Sequence, residues 1–416
     1  MTEPAAASLR VGGAWSLAAV AVTLSSGLVR TIVVARFLAP VDIGLMGIAL
    51  LAVGFLEAVA STGLDSALVA SRKDVESYID PAFTIQVARG FIVMTLLWAA
   101  APALAWAFHN DAATPVIRSV SVVAALRGFA NPATALAVRR LDFRRVFWWS
   151  LPEALTALGI TIALAVLRRD VWALVVGVIA GQVVATIASY GLVRRMPRLV
   201  LARQRIHELF QFGRFVSGSR ALMYFSVNLD AAVVGVSMGT HELGLYQFAT
   251  RVAELPVVTF TRAVGQVALP ALSSVEVGTA GLRRTWRTLL GWTVIVNAGA
   301  AVLIVLFGGV VVDTVAGSQW RDAVPVLRIL AVAMVCRAVL VLTGQLLDGA
   351  NRPALTMRLN AVRLAALVVL LPQLAIWKGV TGVAQGVLLV NAGTALLALR
   401  LSADVLASEQ AVGEFD

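Results

Sequence analysis

The chain reads as an all-α polytopic membrane protein, with about twelve transmembrane helices in two six-helix lobes related by a pseudo-twofold axis along the membrane normal. Three observations predict this. First, hydrophobic residues make up 59% of the chain and charged residues 14%, with a mean hydropathy of +0.87; no soluble core absorbs that much apolar surface. Second, the chain writes one phrase twice. Val33-Val34-Ala35-Arg36-Phe37-Leu38-Ala39-Pro40-Val41-Asp42-Ile43-Gly44-Leu45 returns as Val233-Val234-Gly235-Val236-Ser237-Met238-Gly239-Thr240-His241-Glu242-Leu243-Gly244-Leu245. Pro115-Val116-Ile117-Arg118 followed by Arg127 returns as Pro325-Val326-Leu327-Arg328 followed by Arg337. Both motifs keep their order at shifts of about 200 and 210 residues, the mark of an internal repeat. Third, the basic residues gather on alternate loops in a ratio of about 18 to 4, which predicts that both termini are cytoplasmic.

The elements follow in order along the chain. Met1–Leu9 lacks a charged leader and a convincing cleavage site, so no removable signal peptide is expected and the first span, roughly 11–37, stays. The second lies at roughly 42–61, beyond the Ala39–Asp42 turn, and Arg72 and Lys73 mark the next cytoplasmic loop. Spans three and four lie at roughly 82–108 and 114–137. Arg139, Arg140, Asp142, Arg144 and Arg145 precede Phe147-Trp148-Trp149, which places the tryptophans at headgroup level before span five, roughly 147–167. Span six, roughly 171–192, carries Gly177 and Gly181, which read as helix-packing positions. These elements make an N-terminal lobe, 1–192.

Residues 193–213 form a basic linker. Arg194, Arg195, Arg198, Arg203 and Arg205 interleave with Met196, Leu199, Leu201, Ile206 and Leu209, a pattern suited to an amphipathic segment on the anionic inner leaflet. The C-terminal lobe, 214–416, holds spans at roughly 214–238, 243–267, 286–312, 323–346, 354–376 and 380–400. Arg283, Arg284, Arg287, Arg352, Arg358 and Arg400 sit on the cytoplasmic side and Arg321 and Lys378 on the other. Each repeat has an even number of spans, so the halves share one orientation and an inverted repeat is excluded. The formal charge of +11 is thus a topology signal; split among short loops, it does not read as a nucleic-acid surface. The single cysteine, Cys336, lies within a span, so no intrachain disulfide and no cysteine metal site is expected.

Val34-Ala35-Arg36-Phe37-Leu38-Ala39-Pro40-Val41-Asp42-Ile43-Gly44, Thr62-Gly63-Leu64-Asp65-Ser66-Ala67-Leu68-Val69 and Arg140-Leu141-Asp142-Phe143-Arg144-Arg145 together form an ordered set of motifs. So do Asn228-Leu229-Asp230, Leu243-Gly244-Leu245-Tyr246 and Ala268-Leu269-Pro270-Ala271-Leu272-Ser273 in the second half. The set resembles the polysaccharide-transport branch of the multidrug/oligosaccharidyl-lipid/polysaccharide flippase superfamily. The resemblance implies a two-lobed, V-shaped helical bundle in a bacterial inner membrane that flips an undecaprenyl-diphosphate-linked glycan toward the periplasm. Many members carry two further C-terminal helices, whereas here the twelfth span runs into a polar tail, Ser408–Asp416, so a lipid-tail groove built from extra helices is not expected. Expected partners are the lipid-linked glycan, anionic membrane lipids, and a polysaccharide polymerase and glycosyltransferases of the same O-antigen, exopolysaccharide or related pathway. The chain is expected to be a monomer without cofactor, driven by H⁺, Na⁺ or the membrane potential.

Charges within the spans support an anionic cargo. An arginine at a helix centre costs roughly 2.5–3.5 kcal/mol on the insertion scale, so it normally faces a partner or a wet cavity. Arginines here outnumber intramembrane acids, and a guanidinium holds phosphate oxygens through two parallel hydrogen bonds. Arg30, Arg89 and Arg127 are the candidate substrate-binding residues. Arg30 and Asp230 occupy equivalent places in the two halves, which makes Asp230 a candidate coupling-ion residue, with Asn228, Asn360 and Asn391 as neutral oxygens. Glu57, Arg251, Glu254 and Arg337 are candidate structural or gating ion pairs. Arg251 could pair with Asp230 across the short hairpin or with Glu254 at i, i+3.

His109, His207 and His241 are scattered, and no HExxH, paired-cysteine, P-loop or GxSxG pattern is present, so an enzyme is not expected. A glycan polymerase or ligase would need a sizeable outer loop that the span assignment leaves no room for. Two non-enzymatic functions compete with the flippase. A cation-coupled drug antiporter of the same superfamily predicts an acid-dominated interior, and a non-transporting scaffold in envelope biosynthesis leaves the intramembrane arginines without a role.

Overall fold

The structure, a computed structural model, describes residues 22, 26–27, 29–61, 78–139, 142–192, 196–200, 202–273, 280–350 and 352–408. Met1–Leu9, most of the first expected span, the Thr62–Val69 motif and the polar tail beyond Ser408 lie outside the described residues. The described residues form helices and no strand, as a lipid-embedded backbone that must satisfy its own hydrogen bonds requires. They are α1 (29–37), α2 (Pro40–Val59), α3 (Ile79–Ala107), α4 (Ala113–Gly128), α5 (Thr134–Arg139), α6 (Phe143–Arg168) and α7 (Trp172–Leu192). There follow α8 (Arg203–Met238), α9 (Thr240–Ser273), α10 (Ala280–Val311), α11 (Ala323–Gly349) and α12 (Pro353–Ser408). Eight of the described helices are long and apolar enough to cross a membrane.

Local chemistry sets the helix ends. Pro40 opens α2 at a position that needs no backbone donor, and Asp42 accepts from the Ala39 amide at 3.2 Å, a carboxylate at the positive end of the helix. Asp142 caps α6 by accepting from the Arg145 amide at 3.2 Å, and Arg169 closes that helix in the left-handed region at φ 55°. α12 is two helices run together, with Gly379 at φ 60° and ψ −145° between its arms.

Three expected spans differ in the structure in ways that bear on the site. The fourth, expected over 114–137, breaks after Gly128. Pro132 lacks an amide hydrogen and disfavours helical geometry at Asn131, and the helix resumes only as the short α5. The eighth starts at Thr240, three residues before the expected 243. The seventh begins inside the expected linker: α8 is helical from Arg203, so helix covers the second half of 193–213. The linker residues 196–200 ahead of it are non-helical and lie against α3, where Asp80 accepts from the Arg198 amide at 3.1 Å and Thr84 from the Val200 amide at 2.9 Å.

The chain forms two compact units: Met1–Phe225 with Gly239–Gly244, and Ser226–Met238 with Leu245–Asp416. In the first unit α4 is central, packing on α2, α3 and α7, while α6 packs along α7. Small residues let these backbones approach. A Cβ on Gly90 would fall 2.6 Å from the Ala124 carbonyl oxygen, and one on Gly128 would fall 2.8 Å from that of Gln86. Gly177 and Gly181 are the packing positions expected: a Cβ on Gly181 would fall 2.8 Å from that of Ala157 on α6. In the second unit α11 packs on α10 and α12, around Trp286, Leu346 and Leu406 and around Leu347, Leu359, Ala398 and Val405.

Candidate functional site

The broken end of α4 gathers the polar groups of the first unit. A helix that stops inside apolar surroundings leaves carbonyls unpaired, and α7 covers them. Thr186 donates to the Leu126 carbonyl at 3.0 Å and the Tyr190 phenol to the Phe129 carbonyl at 2.7 Å, while Ser189 accepts from the Asn131 amide at 2.9 Å. Arg127 lies in this last turn, where a cation is favoured by the helix dipole. Its Nε donates to Gln182 Oε1 at 3.1 Å, and its Nη1 donates to Glu57 Oε2 as an ion pair. Its charge also acts on Glu153 of α6. The charge of Glu57 acts on Tyr224, whose phenol donates to the Leu51 carbonyl at 3.0 Å. One guanidinium is therefore ion-paired to Glu57 and held in orientation by Gln182.

The second unit carries a larger set. Tyr246, 1% exposed, donates to Asp230 Oδ2 at 2.7 Å, and Asp230 Oδ1 accepts from the Ala231 amide at 2.9 Å. Arg337 Nη1 pairs with Glu254 Oε1 at 2.5 Å. Arg363 donates through Nε to Asn391 Oδ1 at 3.0 Å and through Nη1 to the Ser226 carbonyl at 3.1 Å. The charges of Asp230 and Arg337 both act on Arg363, and that of Glu254 on Arg251. These contacts join α8, α9, α11 and α12 by polar groups that apolar surroundings would penalise if unpaired.

The structure thus joins Arg127 to Glu57 and Arg337 to Glu254. It does not join Asp230 to Arg251, nor Arg251 to Glu254, whose Oε1 goes to Arg337. The reason is register. Starting at Thr240, α9 puts Tyr246 about 9 Å along its axis and Arg251 about 16 Å, whereas Asp230 lies about 12 Å before the end of α8, so the phenol reaches the carboxylate from the near side. Arg30, on α1, and Asn228 both have partners of their own. Arg89 is half-buried on α3 without hydrogen bond or ion pair to the described residues, Asn360 is exposed, and Asn391 is wholly buried. Sequence reasoning missed Gln182, Tyr246 and Arg363 as site groups. Tyr246 was legible in principle, as a hydroxyl at the depth of Asp230 across a short turn; Gln182 carries no such signal.

The family described as "Polysaccharide biosynthesis protein" matches residues 33–325, from the end of α1 to the start of α11. The chain belongs to this family. The motif resemblance is thereby borne out, and with eight membrane-length helices this member of the polysaccharide biosynthesis family is a multi-pass helical membrane protein. It is similar to the succinoglycan biosynthesis transport protein ExoT of Rhizobium meliloti (strain 1021), at 27% identity over 77% of this chain. The chain spans 65% of that relative's length. It is also similar to the lipopolysaccharide biosynthesis protein WzxC of Escherichia coli (strain K12), at 22% identity over 91% of this chain and 78% of that one. Among solved structures it resembles the lipid II flippase MurJ, with a TM-score of 0.78 and 13% identity over 95% of this chain and 89% of that one. A multidrug resistance MATE family transporter of the MOP superfamily gives a TM-score of 0.74 and 17% identity over 94% and 95%. At such identities the likeness is one of fold.

Proposed function

We propose that this family member is a flippase that carries an undecaprenyl-diphosphate-linked oligosaccharide across the bacterial inner membrane by alternating access, for surface polysaccharide assembly. The observation that carries the reading is Arg127, a guanidinium at the end of α4, oriented by Gln182 and balanced against Glu57. The names of its relatives, a succinoglycan transport protein and a lipid II flippase among them, support a lipid-linked glycan as cargo. In this reading about twelve helices form two six-helix lobes related along the membrane normal, and both termini are cytoplasmic. The chain works as a monomer beside a polymerase and glycosyltransferases. Arg127, Arg89 and Arg30 receive the diphosphate, whose oxygens compete with Glu57 for Arg127. Asp230 is the coupling carboxylate for H⁺ or Na⁺; its Tyr246 hydrogen bond holds it in place. Asn391 gives its side-chain oxygen to Arg363, and in this reading it supports that arginine.

Two measurements test the reading. In a deletion strain, lipid-linked glycans should accumulate on the cytoplasmic side, and restoring the gene should clear them; an unchanged lipid pool would sink the proposal. Arg127→Ala should reduce flipping at least tenfold at near-normal protein abundance, and Arg127→Lys should rescue only part, because lysine keeps the charge and loses the fork. Full activity of both variants would remove Arg127 from the site.

A further inference from the structure

The second phrase that the chain repeats opens α4 and α11. Pro115-Val116-Ile117-Arg118 and Pro325-Val326-Leu327-Arg328 stand at the same distance from their helix starts, Ala113 and Ala323. Each copy turns the same positions toward the interior of its own unit: Val116, Ile117 and Val120 are buried in one, and Val326, Leu327 and Leu330 in the other. The remaining face also matches. Pro115 and Val122 are exposed with Arg118 part-exposed between them, and Pro325, Arg328 and Val332 are all exposed. Spacing at i, i+3 and i+7 puts each trio on one side of its helix. Each half thus carries a guanidinium on an exposed, otherwise apolar face. The arginine that follows nine residues later lies half a turn round the helix, and there each copy meets an acid: Arg127 pairs with Glu57 and Arg337 with Glu254.

The surroundings of Arg118 and Arg328 are those of a lipid-facing surface. Trp98 of α3, in contact with Arg118, is 55% exposed, and Phe307 and Val310, flanking Gly309 beside Arg328, are 54% and 64% exposed. An arginine among acyl chains is costly, so its head needs an anion or the headgroup layer. Arg118 donates through Nε to the Trp98 carbonyl at 3.3 Å, and its guanidinium carbon lies 4.1 Å from the Trp98 ring centroid. These contacts orient the group without supplying a counter-charge. Arg328 makes no hydrogen bond or ion pair with the described residues, whereas Arg321 close by in sequence is matched by Asp313 at 2.9 Å. Helical side chains lean toward the helix start, which is about 8 Å along the axis from either arginine. A long cationic side chain covers that distance by snorkelling.

We propose that Arg118 and Arg328 are two equivalent lipid sites, each binding the phosphodiester of an anionic phospholipid such as phosphatidylglycerol. The guanidinium fork takes two phosphate oxygens, and the acyl chains lie along the exposed apolar residues of the same face. Trp98 is a positioning residue for the first site. A phosphatidylcholine headgroup carries its own cation and matches the site less well. Both sites are separate from Arg127 and lie on the other side of α4 from it.

The test uses the full-length protein in detergent, titrated with phosphatidylglycerol or phosphatidylcholine, with bound lipid counted by native mass spectrometry. Phosphatidylglycerol should fill two sites that phosphatidylcholine fills poorly. Arg118→Gln and Arg328→Gln should each weaken one site about tenfold, the loss of hydrogen bonds between charged groups, and the double variant should weaken both. Arg321→Gln, which removes an arginine already matched by Asp313, should leave the count unchanged. Excess inorganic phosphate should not displace the lipid, because the apolar face holds the chains; displacement would make the ligand a free anion and overturn the lipid assignment. Equal binding of the two lipids, or phosphatidylglycerol binding that survives the double variant, would overturn the proposal. Replacing Arg328 unpairs no described residue, so if Arg118→Gln does not accumulate, Arg328→Gln decides alone. Lipid counting needs no glycan, so failure of the flippase reading would show in the glycan analysis and not in this measurement.

Discussion

Asp230 shows what a single side chain can and cannot do here. Its Oδ2 accepts from Tyr246 and its Oδ1 from the Ala231 amide, so the carboxylate is anchored by two hydrogen-bond donors, with Arg363 as the cation on which its charge acts. A structural and a coupling role then separate cleanly. Tyr246→Phe should cost about 1.5–3 kcal/mol of stability, the loss of a hydrogen bond to a charged group, and leave ion dependence in place. Asp230→Asn, which keeps shape and loses the titratable charge, should abolish ion-dependent transport. A double-mutant cycle scored by thermal melting and by transport checks both; ion dependence that survives Asp230→Asn would remove the coupling role. At this scale the sequence identified Glu57, Glu254 and Arg337 as charges in search of partners, because intramembrane charges are conspicuous. It did not decide which arginine meets which acid. Which of several arginines meets Glu254 depends on axial register, and one helical turn of error moved Arg251 into the place that Tyr246 takes.

At the scale of elements, the break in α4 matters most. Phe129–Ala133 interrupts a segment whose hydropathy alone reads as continuous, and the interruption survives because Thr186, Ser189 and Tyr190 of α7 satisfy the exposed backbone. Tyr190→Phe should therefore destabilise the protein by about 1 kcal/mol and loosen Arg127, read as a lower melting temperature with reduced flipping. An unchanged melting temperature would mean that water or another group takes over the Phe129 carbonyl. The Asn131-Pro132 pair was the available signal, and it was outweighed by the apolar run around it. By contrast, Gly177 and Gly181 were legible as packing positions, because a glycine within an apolar helix has few reasons to be there besides close approach.

For the whole molecule, the repeated phrase and the alternating basic loops predict one orientation for both halves. Reporter fusions at each terminus should both read as cytoplasmic, and fusions after Asn110 and after Ser318 should both read as external. A terminus found on the outside would overturn the arginine assignment and with it the direction of the proposed transport. The two copies of the phrase also lie against each other: a Cβ on Gly44 would overlap the Thr240 carbonyl and one on Gly244 the Pro40 carbonyl.

The amino-acid sequence by itself determined that the chain is helical and membrane-embedded, because apolar composition and the need to satisfy the backbone inside lipid leave little alternative. It also determined the family, through the ordered motifs, and the residue types available for an anionic cargo. Only the tertiary structure decided which charges are spent on one another. Arg127 goes to Glu57 and Gln182, Arg337 to Glu254, and Arg363 to Asn391. It decided as well where α4 stops and where the repeated phrases touch. Membership of a span follows from local hydropathy, which sequence carries directly, whereas these pairings depend on helix register, rotation and packing, which arise only when distant segments meet.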